Sequence, residues 1–226
     1  MTSRRLIQGT GLSALVAGLL FVIVQPIHPP DTVASVTTGQ WALVHYATLI
    51  MTVLFAVGIS GIYLRQVEEA GWLGLAGVIA LNLALIITGI MVFVEAFISP
   101  ELAGRDPEYV AALLGMVSGT DTQIDLGALP LLWSVSGVLF PLGCLVVGIA
   151  IMRARILPRW AAGVFAFGLP VAVVAVSLLP GDLHRLGAVP VGVGLAWLGY
   201  ALWVDLRPKP SAADAVGEFP YLSHSN

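Results

Sequence analysis

The stretch WLGLAGVIALNLALIITGIMVFVEAFI, residues 72–98, decides the fold of this chain. Glu95 is its single ionisable residue. The run exceeds the about 20 apolar residues with which a helix crosses a hydrocarbon core of about 30 Å. Residues 72–98 therefore predict a membrane-spanning helix.

The composition of the whole chain agrees with this prediction. Of its 226 residues, 58% are hydrophobic and only 10% are charged, against roughly 25% charged residues in an ordinary soluble domain. There are 10 Lys and Arg against 13 Asp and Glu, so the basic excess that electrostatic nucleic-acid binding needs is lacking. Cys144 is the single cysteine, which excludes an intrachain disulfide and a cysteine metal cluster.

Five further stretches are long and apolar enough to span a bilayer. The six predicted spans are residues 6–25, 41–64, 72–98, 126–152, 160–179 and 186–204. The first follows Arg4 and Arg5, but its apolar run is too long for a signal peptide. We therefore predict an all-α polytopic membrane protein, with a six-helix transmembrane domain over residues 1–206 and a disordered cytoplasmic tail over residues 207–226.

The arginines and lysine predict the orientation, because cytoplasmic loops carry an excess of these residues. One side would hold eight of them and the other only Arg105 and Arg185. The eight are Arg4, Arg5, Arg65, Arg153, Arg155, Arg159, Arg207 and Lys209. Both termini are therefore expected in the cytoplasm, with the chain in the cell membrane.

The longest outer loop, residues 99–125, contains the signals of a short helix. Asp106 is suited to the N-cap, Pro107 to the first helical position, and Gly119 to the end. Apolar residues recur on one face at 109, 110, 113, 114 and 117. This pattern predicts a short amphipathic helix on the outer membrane surface.

Four ionisable residues fall near the outer boundary of the predicted bundle. His45, Glu95 and His184 extend rows of small residues on the second, third and sixth spans, and His28 follows the first span. The rows are Thr52, Ala56 and Ser60; Ala76, Ala80, Ala84 and Thr88; and Ala188, Gly192 and Ala196. Small residues mark helix contacts in lipid, so we expect the side chains of His45, Glu95 and His184 to converge. They would form an outward-facing pocket, with His28 and Asp31 contributed by the first outer loop.

The chemistry of such a pocket stays open from the sequence. Histidine and carboxylate are ligands for zinc, copper or iron, so His28, His45, Glu95 and His184 form a candidate metal set. The same groups could relay protons, and two histidines could ligate a haem. They could equally serve only as polar caps at the membrane interface.

Three functions are compatible with these patterns. The first is an integral membrane protein whose pocket, with His45, Glu95 and His184 as ligand-binding residues, takes a metal ion, a proton-coupled solute or a lipid-like ligand. The second is a non-catalytic subunit or scaffold that docks partner helices, as a homo-oligomer or beside another membrane subunit. The third is a haem- or quinone-binding redox anchor. The sequence contains no Gly-rich phosphate loop and no HExxH or GxSxG motif, so whether the chain is an enzyme stays open.

The turn between the fourth and fifth spans carries a resemblance. Residues 153–160 read RARILPRW and follow the apolar segment 138–152. This pattern resembles a group of uncharacterised six-helix bacterial membrane proteins, which similarly have an Arg-x-Arg-x-Leu/Val-Pro-Arg-Trp turn and an amphipathic outer loop before their fourth helix. The likeness extends from Gly71 to about Leu179. It implies a six-helix architecture and carries over no catalytic residue.

Overall fold

The computed structural model describes residues 3–120, 123–178 and 181–205. For residues 3, 118, 170–178 and 181–184 it describes the backbone only. The α-helices are α1 (Ser3–Ile27), α2 (Gly39–Leu64), α3 (Val67–Phe93), α4 (Ser99–Ala103), α5 (Pro107–Ser118), α6 (Leu129–Ala154), α7 (Arg159–Leu178) and α8 (Val189–Asp205). A π-helical segment, Val94–Ile98, joins α3 to α4, and 3-10 helices cover Ser35–Thr37 and Gly181–Ala188.

Within these ranges the structure is helical and has no strand, which confirms the all-α class. Five helical stretches are long and apolar enough to cross a membrane. They are Arg4–Ile27, Gly39–Leu64, Val67–Ala103, Leu129–Ala154 and Arg185–Asp205, and each coincides with one predicted span. Helix α7 occupies the place of the remaining predicted span, and the predicted cytoplasmic tail lies outside the described residues.

The long helices pack in a closed ring in the order α1, α2, α3, α6, α7, α8 and back to α1. Four phenylalanines from α1, α2, α6 and α7 meet inside this ring. The ring centroid of Phe55 lies 6.4 Å from that of Phe21, 5.9 Å from Phe140 and 6.1 Å from Phe165. Phe55 and Phe165 are fully buried, so aromatic side chains form the core of the bundle.

Glycines set the closest helix contacts, as is common between helices in lipid. A Cβ at Gly18 of α1 would overlap the backbone of Ala196 and Gly192 on α8. Between α3 and α6, a Cβ at Gly143 would lie 2.9 Å from the backbone nitrogen of Leu81. The small residues Gly192 and Ala196 are buried as expected.

The expected small-residue row on α3 is only partly correct. Ala84 is buried, but Ala76 is exposed, and Gly77 and Leu81 lie at the contact with α6 instead. The reason is geometric. A four-residue step exceeds one helical turn of 3.6 residues by about 40°, so a long row with that spacing drifts around the helix.

Helix α5 begins and ends as the sequence predicts. Asp106 Oδ1 accepts a hydrogen bond of 3.0 Å from the backbone N–H of Tyr109, Pro107 is the first helical residue, and Gly119 ends the helix with a φ of 74°. The apolar face of α5 packs on protein. Val110 and Leu114 are buried in one cluster with Trp41 of α2, so α5 covers the end of the bundle where α2 begins and α3 ends.

Candidate functional site

His45 and Glu95 meet at the end of the bundle that α5 covers. Helices α2 and α3 are antiparallel neighbours, so the start of α2 lies beside the residues that follow α3. His45 Nε2 lies 3.3 Å from Glu95 Oε2. The side chains are 3% and 17% exposed, respectively. The structure thus brings together two of the residues that the sequence singles out; we call them the His45–Glu95 pair.

Trp41 fixes the orientation of the His45 ring. The two rings stack with centroids 4.0 Å apart and an interplanar angle of 23°. His45 Nδ1 lies 2.8 Å from the backbone carbonyl oxygen of Trp41. A carbonyl oxygen only accepts hydrogen bonds, so Nδ1 must carry a hydrogen and donate it.

This assignment limits how His45 and Glu95 can interact. With its hydrogen on Nδ1, a neutral His45 has only a lone pair at Nε2, and an ionised Glu95 is also only an acceptor. One further proton would let Nε2 and Oε2 form a hydrogen bond. That proton makes His45 an imidazolium beside a carboxylate, or makes Glu95 a carboxylic acid that donates to Nε2. In both forms the pair has no net charge.

The π-helical segment supplies the second contact of Trp41. The backbone N–H of Ser99 donates to the carbonyl of Val94, five residues back. Pro100, five residues after Glu95, has no N–H to donate, so the Glu95 carbonyl has no partner at that position. The indole Nε1 of Trp41 donates to this carbonyl at 2.8 Å. Such π-helical insertions are frequent at functional sites.

His28 also lies close to His45. Its ring centroid is 5.3 Å from that of His45 and 6.0 Å from that of Trp41. His28 Nδ1 donates to the backbone carbonyl of Pro29 at 2.7 Å. Burial, and then the guanidinium of Arg185, lower the pKa of His28 from its ordinary value.

Arg185 connects the loop after α1 to the segment that precedes α8. Its Nη2 donates to Asp31 Oδ2, and Asp31 Oδ1 lies 4.0 Å from His28 Nδ1. Asp31 therefore lies beside His28, as the sequence suggests, and it is held by Arg185, which the sequence pattern does not mark as part of the site.

We expect the lowered pKa of His28 to make stability depend on pH. The folded-state pKa is below the unfolded value of about 6.5, so the contribution of neutral His28 is complete above that value and is lost as pH falls through the folded pKa. Acidification from about pH 7.5 to about pH 5 should therefore lower the melting temperature more in the native protein than in His28→Asn. Thermal denaturation in detergent at a series of pH values measures this, and parallel curves for the two proteins would contradict it.

The remaining candidate, His184, lies in the 3-10 helix Gly181–Ala188, and its side chain is outside the described part of the structure. Helix α8 packs mainly on α1 and α7, and Arg185, in the 3-10 helix before it, contacts Asp31 beside His28. Among the side chains that are described, no three His, Cys, Asp or Glu residues are grouped to hold a metal ion. The four-residue metal set stays a prediction.

Glu95 borders a narrow cleft under α5. Besides Glu95, the cleft is lined by apolar residues of α5 and of the starts and ends of its neighbours, among them Leu113, Met116 and Leu129.

Two features of the site could have been found in the sequence and were not. Trp41 precedes His45 by four residues, which places the two side chains on one helix face. Pro100 follows Glu95 by five residues, and the missing N–H of a proline marks a carbonyl in need of another donor.

No known family model, curated protein or solved structure matches the chain, and the resemblance of residues 71–179 to six-helix bacterial proteins stays a prediction.

Proposed function

We propose that this chain is a multi-pass protein of the cell membrane, with six spans, both termini in the cytoplasm and a proton-binding site in its outer half. Five apolar helices support a membrane-spanning protein, and α7 closes the ring that they form. The arginines at one end of the bundle, with Trp160 beside Arg159, support the orientation.

The observation that carries this proposal is the contact of 3.3 Å between His45 Nε2 and Glu95 Oε2, with Nδ1 already bonded to the Trp41 carbonyl. Without a shared proton the pair would hold one negative charge in a nearly buried position. An isolated charge there is costly. One positive charge would neutralise the site, and in this proposal a proton supplies it. Uptake and release through the cleft under α5 would couple this proton to a small solute or a lipid-like ligand bound in the bundle.

Trp41 provides the reporter for the experiment. An imidazolium stacked on an indole changes the emission of that indole, so the fluorescence of Trp41 should change with pH as the His45–Glu95 pair gains or loses its proton. Subtracting the spectrum of Trp41→Phe isolates this signal from the other tryptophans. We expect a pH-dependent signal in the native protein and none in His45→Gln.

Glu95→Gln is the second variant of this test. Glutamine keeps the size of the side chain and cannot ionise, so the pH at which the Trp41 signal changes should shift or the change should disappear. His28→Asn is the control, because it removes the other nearby titratable ring and leaves the pair intact. Identical pH profiles in the native protein, His45→Gln and Glu95→Gln would refute the proton site.

A metal ion is the second candidate for the positive charge. The distance of 3.3 Å equals the roughly 3.3 Å between two neighbouring ligands on a tetrahedral zinc with bonds of about 2.0–2.2 Å. The hydrogen bond from His45 Nδ1 to a backbone carbonyl is also the outer contact that metal-binding histidines commonly make. In this proposal His28 and His184 would complete the set with His45 and Glu95.

Zinc titration in weak buffer separates the two candidates. A metal at Nε2 and Oε2 must displace the shared proton, so binding should release about one proton per zinc. A pH indicator measures this release, and His45→Gln should abolish it. If zinc does not bind, the metal candidate fails while the fluorescence test of the proton site stands.

A further inference from the structure

A cavity of about 350 Å³ is lined by residues of α1, α2, α3, α6 and α7, farther along α2 and α3 than the His45–Glu95 pair. Aromatic side chains from α1 and α6 line it, together with three hydroxyl residues, Thr52, Thr88 and Ser136. Thr52 and Thr88 are each seven residues from His45 and Glu95, respectively, or about 10 Å along a helix axis. The cavity is therefore a separate site, at the depth of the apolar part of the spans.

The hydroxyl hydrogens of this cavity are all engaged by the protein. Ser136 donates to the backbone carbonyl of Ala84 at 3.1 Å. Its oxygen lies 2.8 Å from that of Thr88, and because Ser136 has a single hydrogen, Thr88 is the donor of that bond. Thr52 donates to the carbonyl of Leu49 at 2.8 Å.

Three hydroxyl groups thus keep only oxygen lone pairs to offer a ligand. Acceptors that line an apolar cavity favour a molecule with a hydrogen-bond donor. A buried donor without a partner is costly, and these oxygens supply that partner. The rest of the lining, including Phe21, Phe140 and Trp133, favours an apolar body.

A groove between α2 and α3 adjoins the cavity. The groove has a volume of about 410 Å³, and Thr52 and Leu85 line both this groove and the cavity. Gly89 lines the groove opposite Thr52; a Cβ there would lie 3.6 Å from Thr52 Oγ1. The cavity and the groove therefore share two lining side chains, and Gly89 adds no side chain to the groove.

We propose that this cavity binds a lipid-soluble molecule bearing a hydroxyl or equivalent donor, which enters sideways from the membrane between α2 and α3. The hydroxyl group donates to Thr88, and the apolar part lies among the aromatic side chains. This binding does not depend on the proton of the His45–Glu95 pair, so the two proposals can fail separately.

A matched pair of probes tests the donor requirement. Para-octylphenol and para-octylanisole differ in one O–H, which the anisole replaces with a methyl ether. Binding of each is measured through the melting temperature of the full chain in detergent at increasing probe concentration. We expect the phenol to bind about tenfold more tightly, the worth of one hydrogen bond in an apolar site.

Two substitutions test whether the hydroxyl group of the phenol donates to Thr88. Thr88→Val keeps the shape of the side chain and removes the acceptor, so the preference for the phenol should fall to about twofold or less. Thr88→Ser keeps the hydroxyl and should keep the preference, which controls for a folding defect. Equal affinity for both probes in the native protein, no binding of either, or an unchanged preference in Thr88→Val would overturn the proposal.

The association rate of the phenol tests the lateral route. Gly89→Leu fills the groove between α2 and α3, and we expect it to slow association of the phenol about tenfold or more. Gly9→Leu is the matched control, because a Cβ at Gly9 meets nothing within 4 Å. An association rate in Gly89→Leu equal to that in Gly9→Leu would refute entry through this groove.

Discussion

We expect Trp41→Ala to lower the free energy of unfolding by about 3–5 kcal/mol, the range for removing a large aromatic residue from a core. Trp41 is fully buried, stacks on His45, donates to the Glu95 carbonyl and packs against Val110 of α5. The alanine would leave a cavity at the point where α2, α5 and the π-helical segment meet. Equilibrium denaturation in detergent measures the loss.

Two other substitutions serve as comparisons for Trp41→Ala. Trp72→Ala is the control, because Trp72 is 86% exposed and its removal should change the free energy of unfolding by less than about 0.5 kcal/mol. Trp41→Phe keeps a stacking ring and loses the indole N–H, so we expect a smaller loss of about 1–3 kcal/mol. Equal losses for Trp41→Ala and Trp72→Ala would mean that Trp41 is not part of a packed site.

The second large effect is expected at the contact between α1 and α8. In Gly18→Leu the new side chain would meet the backbone of Ala196 and Gly192, which cannot move aside as the end of a flexible side chain can. We expect the two helices to separate and the free energy of unfolding to fall by about 3 kcal/mol or more, at the upper end for an overpacked core.

Gly9→Leu is the matched control for this substitution on the same helix. It has the same change in composition and propensity, and its Cβ meets no other atom within 4 Å. Its melting temperature should stay close to that of the native protein. Similar melting temperatures for Gly18→Leu and Gly9→Leu would contradict the close packing of α1 on α8.

The helices could be predicted from the sequence because length and apolarity alone define a membrane span. Residues 72–98 illustrate this, since they lie within the helical stretch Val67–Ala103. The boundaries of α5 were predictable from local signals, namely Asp106, Pro107 and Gly119. The rotation of each helix could not be predicted as well. The rotation depends on which residues meet the neighbouring helix, as the contacts of Gly77 and Leu81 on α3 with α6 show.

Part of the candidate site could be predicted from the order of the helices. His45 and Glu95 lie near the ends of consecutive, antiparallel helices, so the topology alone brings them to one end of the bundle. Their contact depends on details that spacing does not reveal. The π-helical turn before Pro100 sets the position of Glu95, and the Trp41 carbonyl sets the hydrogen on His45.

The central claim, that the His45–Glu95 pair holds a shared proton, is tested most directly by observing that proton. Heteronuclear NMR of isotope-labelled His45 reports a hydrogen on Nδ1 and on Nε2, and infrared spectroscopy with Glu95→Gln as reference reports a protonated carboxyl group. At neutral pH we predict a hydrogen on Nδ1 together with either an Nε2–H or a carboxylic acid at Glu95. A bare Nε2 beside an ionised Glu95 would contradict the account.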